Sequence, residues 1–255
     1  MRSLWIGGSG LMSHQTNIDN IGNNISNVNT NGYKKNRTSF EDMLYANVQQ
    51  NIDPVVGELR QTPAGIQIGN GVMVSGSKQV FSQGALNSTG ETWDLAIEGP
   101  GFFGVDVDGV THLTRDGNFS VDSEGNLVNS SGYMVDGDFQ DLSQATNISI
   151  NPQGEVYGNL PGQEEAALIG DINTYNVDNP EGLLSVGDNL LLATENSGDP
   201  QIFQSNIKQG ALEGSNVDLA EELTNIITAQ RTYQATAKTI HTADEMMGQA
   251  NNIKR

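Results

Sequence analysis

The side chains best equipped for chemistry are three histidines, His14, His112 and His241, and a set of carboxylates, Asp106, Asp108, Asp116, Asp122 and Glu124. Imidazoles ligate zinc, but these three fall in three different elements, and there is no cysteine to complete a tetrahedral set. Carboxylates suit calcium. These five, however, never form the EF-hand ladder, with glycine at its sixth position and glutamate at its twelfth, and hairpin turns account for them better. GPGFFG at 99–104 has the glycines of a phosphate loop without its Lys-Ser/Thr or a following helix, so it reads as a tight turn with a β-bulge. Neither G-x-S-x-G nor H-E-x-x-H occurs. The expectation is a protein that is not an enzyme, with no catalytic, cofactor or metal site.

Charge narrows the choice of partners. Residues 79–207 hold twenty acidic side chains and one basic one, Arg115, and alone account for the net charge of −19. Residues 1–78 carry six basic and five acidic groups, and residues 208–255 carry five and six, so the ends are nearly neutral. An acidic middle opposes nucleic-acid binding, which needs clustered Lys and Arg, and suits a surface facing water. Neutral ends suit contacts with protein. No run approaches the roughly 18 apolar residues of a membrane-spanning helix. The start, MRSLWIGGSGLMSHQ, lacks the continuous apolar stretch and cleavage site of a secretory signal. Membrane insertion is not expected, and export would follow a route that leaves the chain uncleaved.

The elements that must position these groups begin with a helix at each end. Leu4, Gly7, Leu11, His14, Ile18, Ile21, Ile25 and Val28 alternate steps of three and four, a heptad seam. A helix over 4–28 would be roughly 37 Å long at 1.5 Å per residue, and Asn31-Gly32 supplies a left-handed stop. Leu219, Leu223, Ile226, Gln230, Tyr233, Ala237, Ile240, Asp244 and Met247 repeat the pattern, predicting a helix over 217–250 with Asn216 or Asp218 at its cap. Trp5, Ile6, Met12 and Ile227 lie off these seams and leave apolar surface for further chains to cover. The GGSG at 7–10 permits close helix approach at about 1 kcal/mol of helix stability per glycine. Amides at Asn20, Asn23, Asn24, Asn27 and Asn29 read either as register-fixing partners between helices or as a solvated face.

Between the helices the period changes from helical to alternating. Residues 95–135 are punctuated at Asp108-Gly109, Asp116-Gly117, Glu124-Gly125 and Ser131-Gly132, which predicts a meander of short antiparallel strands. Further strands are expected in NISINPQGEVY, ALIGDINTYNV and NLLLATE. SQGAL at 82–86 and KQGAL at 208–212 echo each other where the chain passes between helical ends and body, and are expected to pair as junction strands. Residues 43–70, with Pro54 and Pro63, have no clean period and read as an extended excursion.

The fold class is therefore α+β: N- and C-terminal helices paired as a coiled coil, with a central β-rich body of short antiparallel strands. The expected segments are the N-terminal helix of the core (1–35), an extended linker or insertion with β-hairpin character (36–78), an outer β-rich domain (79–207) and the C-terminal helix of the core (208–255).

Three stretches carry a resemblance. TNIDNIGNNISNVNTNGYKKNRTSFEDMLY resembles the N-terminal signature of bacterial flagellar rod and hook proteins. DLAIEGPGFFGV followed by TRDGNFSVDSEGNLVNSSGY is similar to that family's central motif, and QGALEGSNVDLAEELTNIITAQRTYQATAKTI to its C-terminal helix. Within the family, the SLW start, SFEDMLY, the insertion ending GIQIGNGV and SNVDLAEELTNII are nearest to members of the distal rod, whereas DEMMGQANNIKR is as similar to the proximal rod.

The resemblance implies a structural subunit of the basal-body rod that crosses the periplasm, a self-assembling helical tube that transmits torque from motor to hook. Its implied partners are copies of itself, other rod proteins below, hook protein above, the surrounding ring bushing, and the flagellar type III export apparatus. The implied assembly interface takes Leu4, Leu11, Ile18, Ile21, Asn24, Ile25, Asn27, Val28, Asn29, Gly32, Lys34 and Phe40 from the N-terminal segment, and Asn216, Leu219, Leu223, Ile226, Tyr233 and Ile240 from the C-terminal one. Lys34, Lys35 and Arg37 are expected to make a basic edge facing acidic surface on a neighbour or solvent. The alternatives are a proximal rod or hook subunit of the same family, or a secreted β-rich adhesin or binding module.

Overall fold

The computed structural model describes residues 2–48, 66–140, 142, 145–159 and 166–253. The middle of the excursion expected over 43–70 lies outside the described residues. The chain divides into two units, one of residues 1–23, 36–78 and 220–255 and one of residues 24–35 and 79–219.

The first unit is built on helix α1 (Arg2–Ser26), strands β1 (Asn36–Asp42), β2 (Ala46–Val48), β3 (Ile66–Ile68) and β4 (Val72–Gln79), and helix α2 (Leu219–Ile253). β1 pairs with β4, and β2 with β3 in an antiparallel hairpin. α1 meets the β1–β4 ribbon through polar groups. Asn20 Nδ2 donates to Thr38 Oγ1 at 2.7 Å and to Ser77 Oγ at 2.9 Å, and Ser13 Oγ donates to the Val72 carbonyl at 3.4 Å. The His14 and Phe40 rings lie 6.3 Å apart between centroids.

The two helices touch where their residues are small. A Cβ on Gly7 would sit 2.5 Å from Ile240 Cγ1, and one on Gly10 would sit 3.4 Å from Thr236 Cγ2. Position rises along α1 as it falls along α2, so the pair is antiparallel. The expected seam of α2 is kept only in part. The positions at least half-buried are 222, 226, 229, 233, 236, 237, 240, 243 and 247, so Ile226, Tyr233, Ala237, Ile240 and Met247 of the expected seam stay inward while Leu219, Leu223, Gln230 and Asp244 do not. Glu222, Ala229 and Ala243 are buried where the sequence pattern favoured Leu223, Gln230 and Asp244. Without a Cβ at Gly7 and Gly10, α1 leaves room for Ile240 and Thr236 of α2 to approach its backbone.

The second unit begins with β5 (Leu86–Ser88), β6 (Leu95–Glu98), β7 (Phe102–Val107), β8 (Val110–Thr114), β9 (Phe119–Val121), β10 (Leu127–Asn129), β11 (Met134–Val135), β12 (Gly137–Phe139) and β13 (Thr146–Ile150). It continues with β14 (Glu155–Asn159), β15 (Ala167–Ile172), β16 (Thr174–Asn176), β17 (Leu184–Gly187), β18 (Leu190–Leu192), β19 (Gln201–Ile202), β20 (Asn206–Gln209) and β21 (Ala211–Glu213). The main sheet is antiparallel, in the order β17-β18-β8-β7-β11-β10-β9, so the expected meander is broken: β8 and β9 are not neighbours, β11 returns beside β7, and β6 pairs outside this sheet with β20; a second sheet runs β12-β15-β14-β13. The Asp108-Gly109 turn has φ of 55° and 81°, the left-handed geometry of a two-residue hairpin joining β7 to β8.

Leu95, Ile97, Phe103, Phe119, Leu127, Val156, Ile169 and Ile207 form the main apolar core of the body, with Phe103 and Phe119 edge to face at 5.2 Å. Phe102, Leu113, Val177 and Leu191 make a second cluster. The SQGAL and KQGAL copies do not pair residue for residue, but the strands that begin at Leu86 and Ala211 do pair, while Lys208 and Gln209 pair with β6. β5 pairs with β21, with Leu86 opposite Glu213, and β6 pairs with β20.

Candidate assembly surfaces and the helix-exit junction

Most of the residues singled out for chemistry make local structural contacts. Asp106 accepts the Gly109 N–H at 2.8 Å, Asp116 accepts that of Asn118 at 3.1 Å, and Asp122 accepts that of Ser123 at 2.6 Å, so each carboxylate stiffens its turn. His112 is bonded to the Val110 carbonyl, and His241 faces Glu245 one helical turn on.

The helices carry the exposed apolar surface. On α1, Trp5 is 80% exposed and Met12 76%, seven residues apart and hence on one face. On α2, Leu219, Leu223 and Ile227 follow at intervals of four and are 44%, 46% and 51% exposed. Of the expected interface residues, Ile21, Asn24, Gly32 and Lys34 are buried; Asn29, Phe40, Leu219 and Leu223 are exposed. Leu4, Leu11, Ile18, Ile25, Asn27, Val28, Asn216, Ile226, Tyr233 and Ile240 are half-buried.

Where the chain leaves α1, residues 31–35 form an exit loop fixed within the body unit. Helical backbone ends at Ser26 and turns carry the chain to Gly32, whose φ is +68°. A Cβ there would lie 2.6 Å from the Asp116 backbone nitrogen, so both the left-handed conformation and the lack of space require glycine. The Asn24 amide oxygen accepts the Tyr33 hydroxyl at 3.0 Å, a bond back to the exit loop. Asn189, at the tip of the β17–β18 hairpin, donates to the Asn31 carbonyl at 3.0 Å. Asn216 accepts the Lys35 N–H at 2.7 Å and donates to the Val80 carbonyl at 2.7 Å, tying the loop to the approach to α2.

At the centre of this junction is Glu213, whose side chain is fully buried. Its Oε1 accepts Lys34 Nζ at 2.6 Å and the Gly84 N–H at 2.8 Å, and its Oε2 accepts Arg115 Nη1 at 3.2 Å. Its backbone carbonyl accepts the Gly32 N–H at 2.8 Å. Lys34 also donates to the Ser82 carbonyl at 2.9 Å, Arg115 donates to the Gly99 carbonyl at 2.9 Å, and the guanidinium lies 5.2 Å over the Phe102 ring. Burial lowers the Lys34 ammonium below the ordinary lysine range; the bond to Glu213 opposes this, and neighbouring Arg115 adds to it. Burial lowers Arg115 likewise, again against Glu213. One carboxylate thus answers two buried cations, and removing it leaves both uncompensated, a loss of about 3–5 kcal/mol by analogy with broken buried pairs.

Lys34 therefore departs from the basic edge read from the sequence: it points into the body, and of that trio only Arg37 is exposed, Lys35 being half-buried. Arg115 and Glu213 were not picked out as site residues. The signal in the sequence was that Arg115 is the single basic residue among twenty acidic ones over 79–207, a cation more readily explained by a specific partner than by solubility.

The chain matches three family models, each over a segment already described. "Flagella basal body rod protein" covers residues 4–34, "Flagellar hook protein FlgE/F/G D1 domain" covers 96–158, and "Flagellar basal body rod FlgEFG protein C-terminal" covers 208–253. It is 39% identical to the flagellar basal-body rod protein FlgG of Borreliella burgdorferi, over 100% of this chain and 99% of that one. It is 37% identical to FlgG of Bacillus subtilis over the whole of both chains, and 33% identical, also over the whole of both, to the flagellar hook-basal body complex protein FlhP of that species. With likeness running from end to end, and with the helical ends and the β body each matched in order, the chain belongs to the bacterial flagellar basal-body rod family.

Proposed function

We propose that the protein is a structural subunit of the distal section of the flagellar rod, polymerising into the tubular shaft that carries torque from motor to hook. The observation that carries this reading is the apolar surface left on the terminal helices, Trp5 and Met12 on α1 and Leu219, Leu223 and Ile227 on α2, in the segments matched to the rod models. Such stripes are paid for in solubility unless other copies cover them. In this reading segments 1–35 and 208–255 build the inner tube, 36–78 adds contacts between subunits, and the acidic 79–207 lies outside. Neighbouring rod proteins, the hook protein and the enclosing ring are its further partners, and the type III apparatus exports it.

The test is a Leu223→Glu/Ile227→Glu chain, produced in a strain lacking the native protein and compared with wild type. The expected result is a body that still folds, loss of sedimentable polymer and loss of motility. Normal rods built from the double variant would overturn the reading. Gold label on an added tag should appear in the rod below the hook in purified basal bodies; label in the curved hook would remove the distal placement.

A further inference from the structure

The buried cluster at Glu213 joins parts of the chain that are made at very different times. Lys34 and Glu213 are 179 residues apart, and Arg115 and Glu213 are 98 apart. Four of the bonds that fix the exit loop come from the stretch just before α2: the Glu213 carboxylate to Lys34, the Glu213 carbonyl to Gly32, the Asn216 oxygen to Lys35, and the Tyr33 carbonyl accepting the Asn216 N–H at 3.4 Å. β21, which delivers Glu213, is held by β5, and the Gly214 N–H reaches the Ala85 carbonyl at 2.8 Å. Without these residues Lys34 and Arg115 lack their carboxylate, and the Gly32 and Lys35 N–H groups lack their acceptors.

We infer that Glu213 is a closing residue. The exit loop, residues 31–35, is locked only when the C-terminal stretch 211–216 has docked, so this loop stays unset in an incomplete chain. A chain emerging N-terminus first thus presents an assembly-ready exit loop only once almost all of it is out. This consequence for polymerisation rests on the function proposed above, whereas the lock itself does not.

The experiment is amide hydrogen exchange on the full-length protein and on Glu213→Gln, which keeps the shape and an acceptor for Gly84 but removes the charge. Exchange at Gly32 and Lys35 is expected to rise at least tenfold more than at Val105 and Leu113 in β7 and β8, which follow only the overall loss of body stability. Glu213→Asp, which keeps the charge on a shorter arm, should loosen the same two amides less, and it serves where Glu213→Gln fails to fold. Unchanged exchange at Gly32 and Lys35, or equal loosening of β7 and β8, would overturn the lock. Pelleting separates the two readings: Leu223→Glu should lose polymer with Gly32 and Lys35 still protected. If wild type itself forms no polymer, the assembly reading fails while the exchange data still decide the lock.

Discussion

The two units solve the problem of burial in opposite ways. The β body encloses two apolar clusters, and Phe103, Leu95 and Val105 are wholly inaccessible. In the helix-and-ribbon unit, among the described residues, the buried apolar side chains are Ile21, Ala229 and Ala243, whereas Trp5, Met12, Leu44, Tyr45, Leu223 and Ile227 are exposed. At about 25 cal/mol per Å² of apolar surface removed from water, a unit that buries mostly small side chains gathers little stabilisation of its own. The contrast is between a body that carries its own apolar core and a helical unit that, in the proposed rod, other copies would complete.

The largest separation between the units should come from equivalent truncations. Phe103→Ala removes a ring at full burial and should destabilise the body by about 3–5 kcal/mol, whereas Leu223→Ala should change monomer stability by less than about 0.5 kcal/mol while weakening polymer. Urea unfolding with sedimentation of the same samples measures both, and comparable losses of monomer stability would break the comparison. Next is Gly32→Ala. The left-handed conformation alone costs a residue with a side chain about 1–2 kcal/mol, and its Cβ would meet the Asp116 backbone, which cannot rotate aside. The body should lose at least about 2 kcal/mol by the same unfolding assay.

A smaller effect distinguishes two adjacent glycines of α1. A Cβ on Gly8 would meet nothing within 4 Å, so Gly8→Ala should gain up to about 1 kcal/mol of helix stability. Gly7→Ala has the same propensity gain but drives a methyl against Ile240, and it should show no net gain, read from the helical circular dichroism signal on heating. Equal gains would mean that the helices do not pack at Gly7.

The smallest effect is a pH dependence at Asp116. Burial raises its carboxyl above the ordinary range; the Asn118 N–H opposes this, the Asp94 charge adds to it, and Asn189 opposes it. A raised carboxyl binds its proton more readily in the folded state, so its contribution is fully present below the unfolded value and is lost as pH rises through the folded one. Asp116→Asn should therefore flatten the fall in body stability between pH 4 and neutrality, as measured by urea midpoints at each pH. An unchanged pH profile would remove Asp116 as the source.

Much of the fold was legible because local signals agreed. The three-and-four spacing marked both helices, Asp108-Gly109 marked the β7–β8 hairpin, and the repeated QGAL fell where β5 and β21 begin, two strands that pair; Asp116-Gly117 instead lies in the link between β8 and β9, which do not pair. The face of α2 was less legible. A hydrophobic pattern selects Leu219 and Leu223 for the inside, but α2 packs with Ile240 against Gly7, buries Ala229 and Ala243, and leaves those leucines exposed. Periodicity counts apolar positions and carries no information on how closely two backbones approach. The junction was illegible for a different reason. Lys34, Arg115 and Glu213 are remote in sequence, and only the pairing of β5 with β21 brings the carboxylate between the two cations.

The two tryptophans allow the central claim to be tested directly, since Trp5 lies in the helical unit and Trp93 packs against the core of the body. In single-tryptophan chains, Trp93→Phe and Trp5→Phe, fluorescence is followed through urea unfolding at low and high protein concentration. The account predicts that Trp93 reports one cooperative transition independent of concentration. Trp5 should emit as a solvated indole in the dilute chain, lose its structure at lower urea, and shift to the blue with greater resistance as polymer forms. Coincident transitions at every concentration, with Trp5 still solvated in the assembled rod, would contradict it.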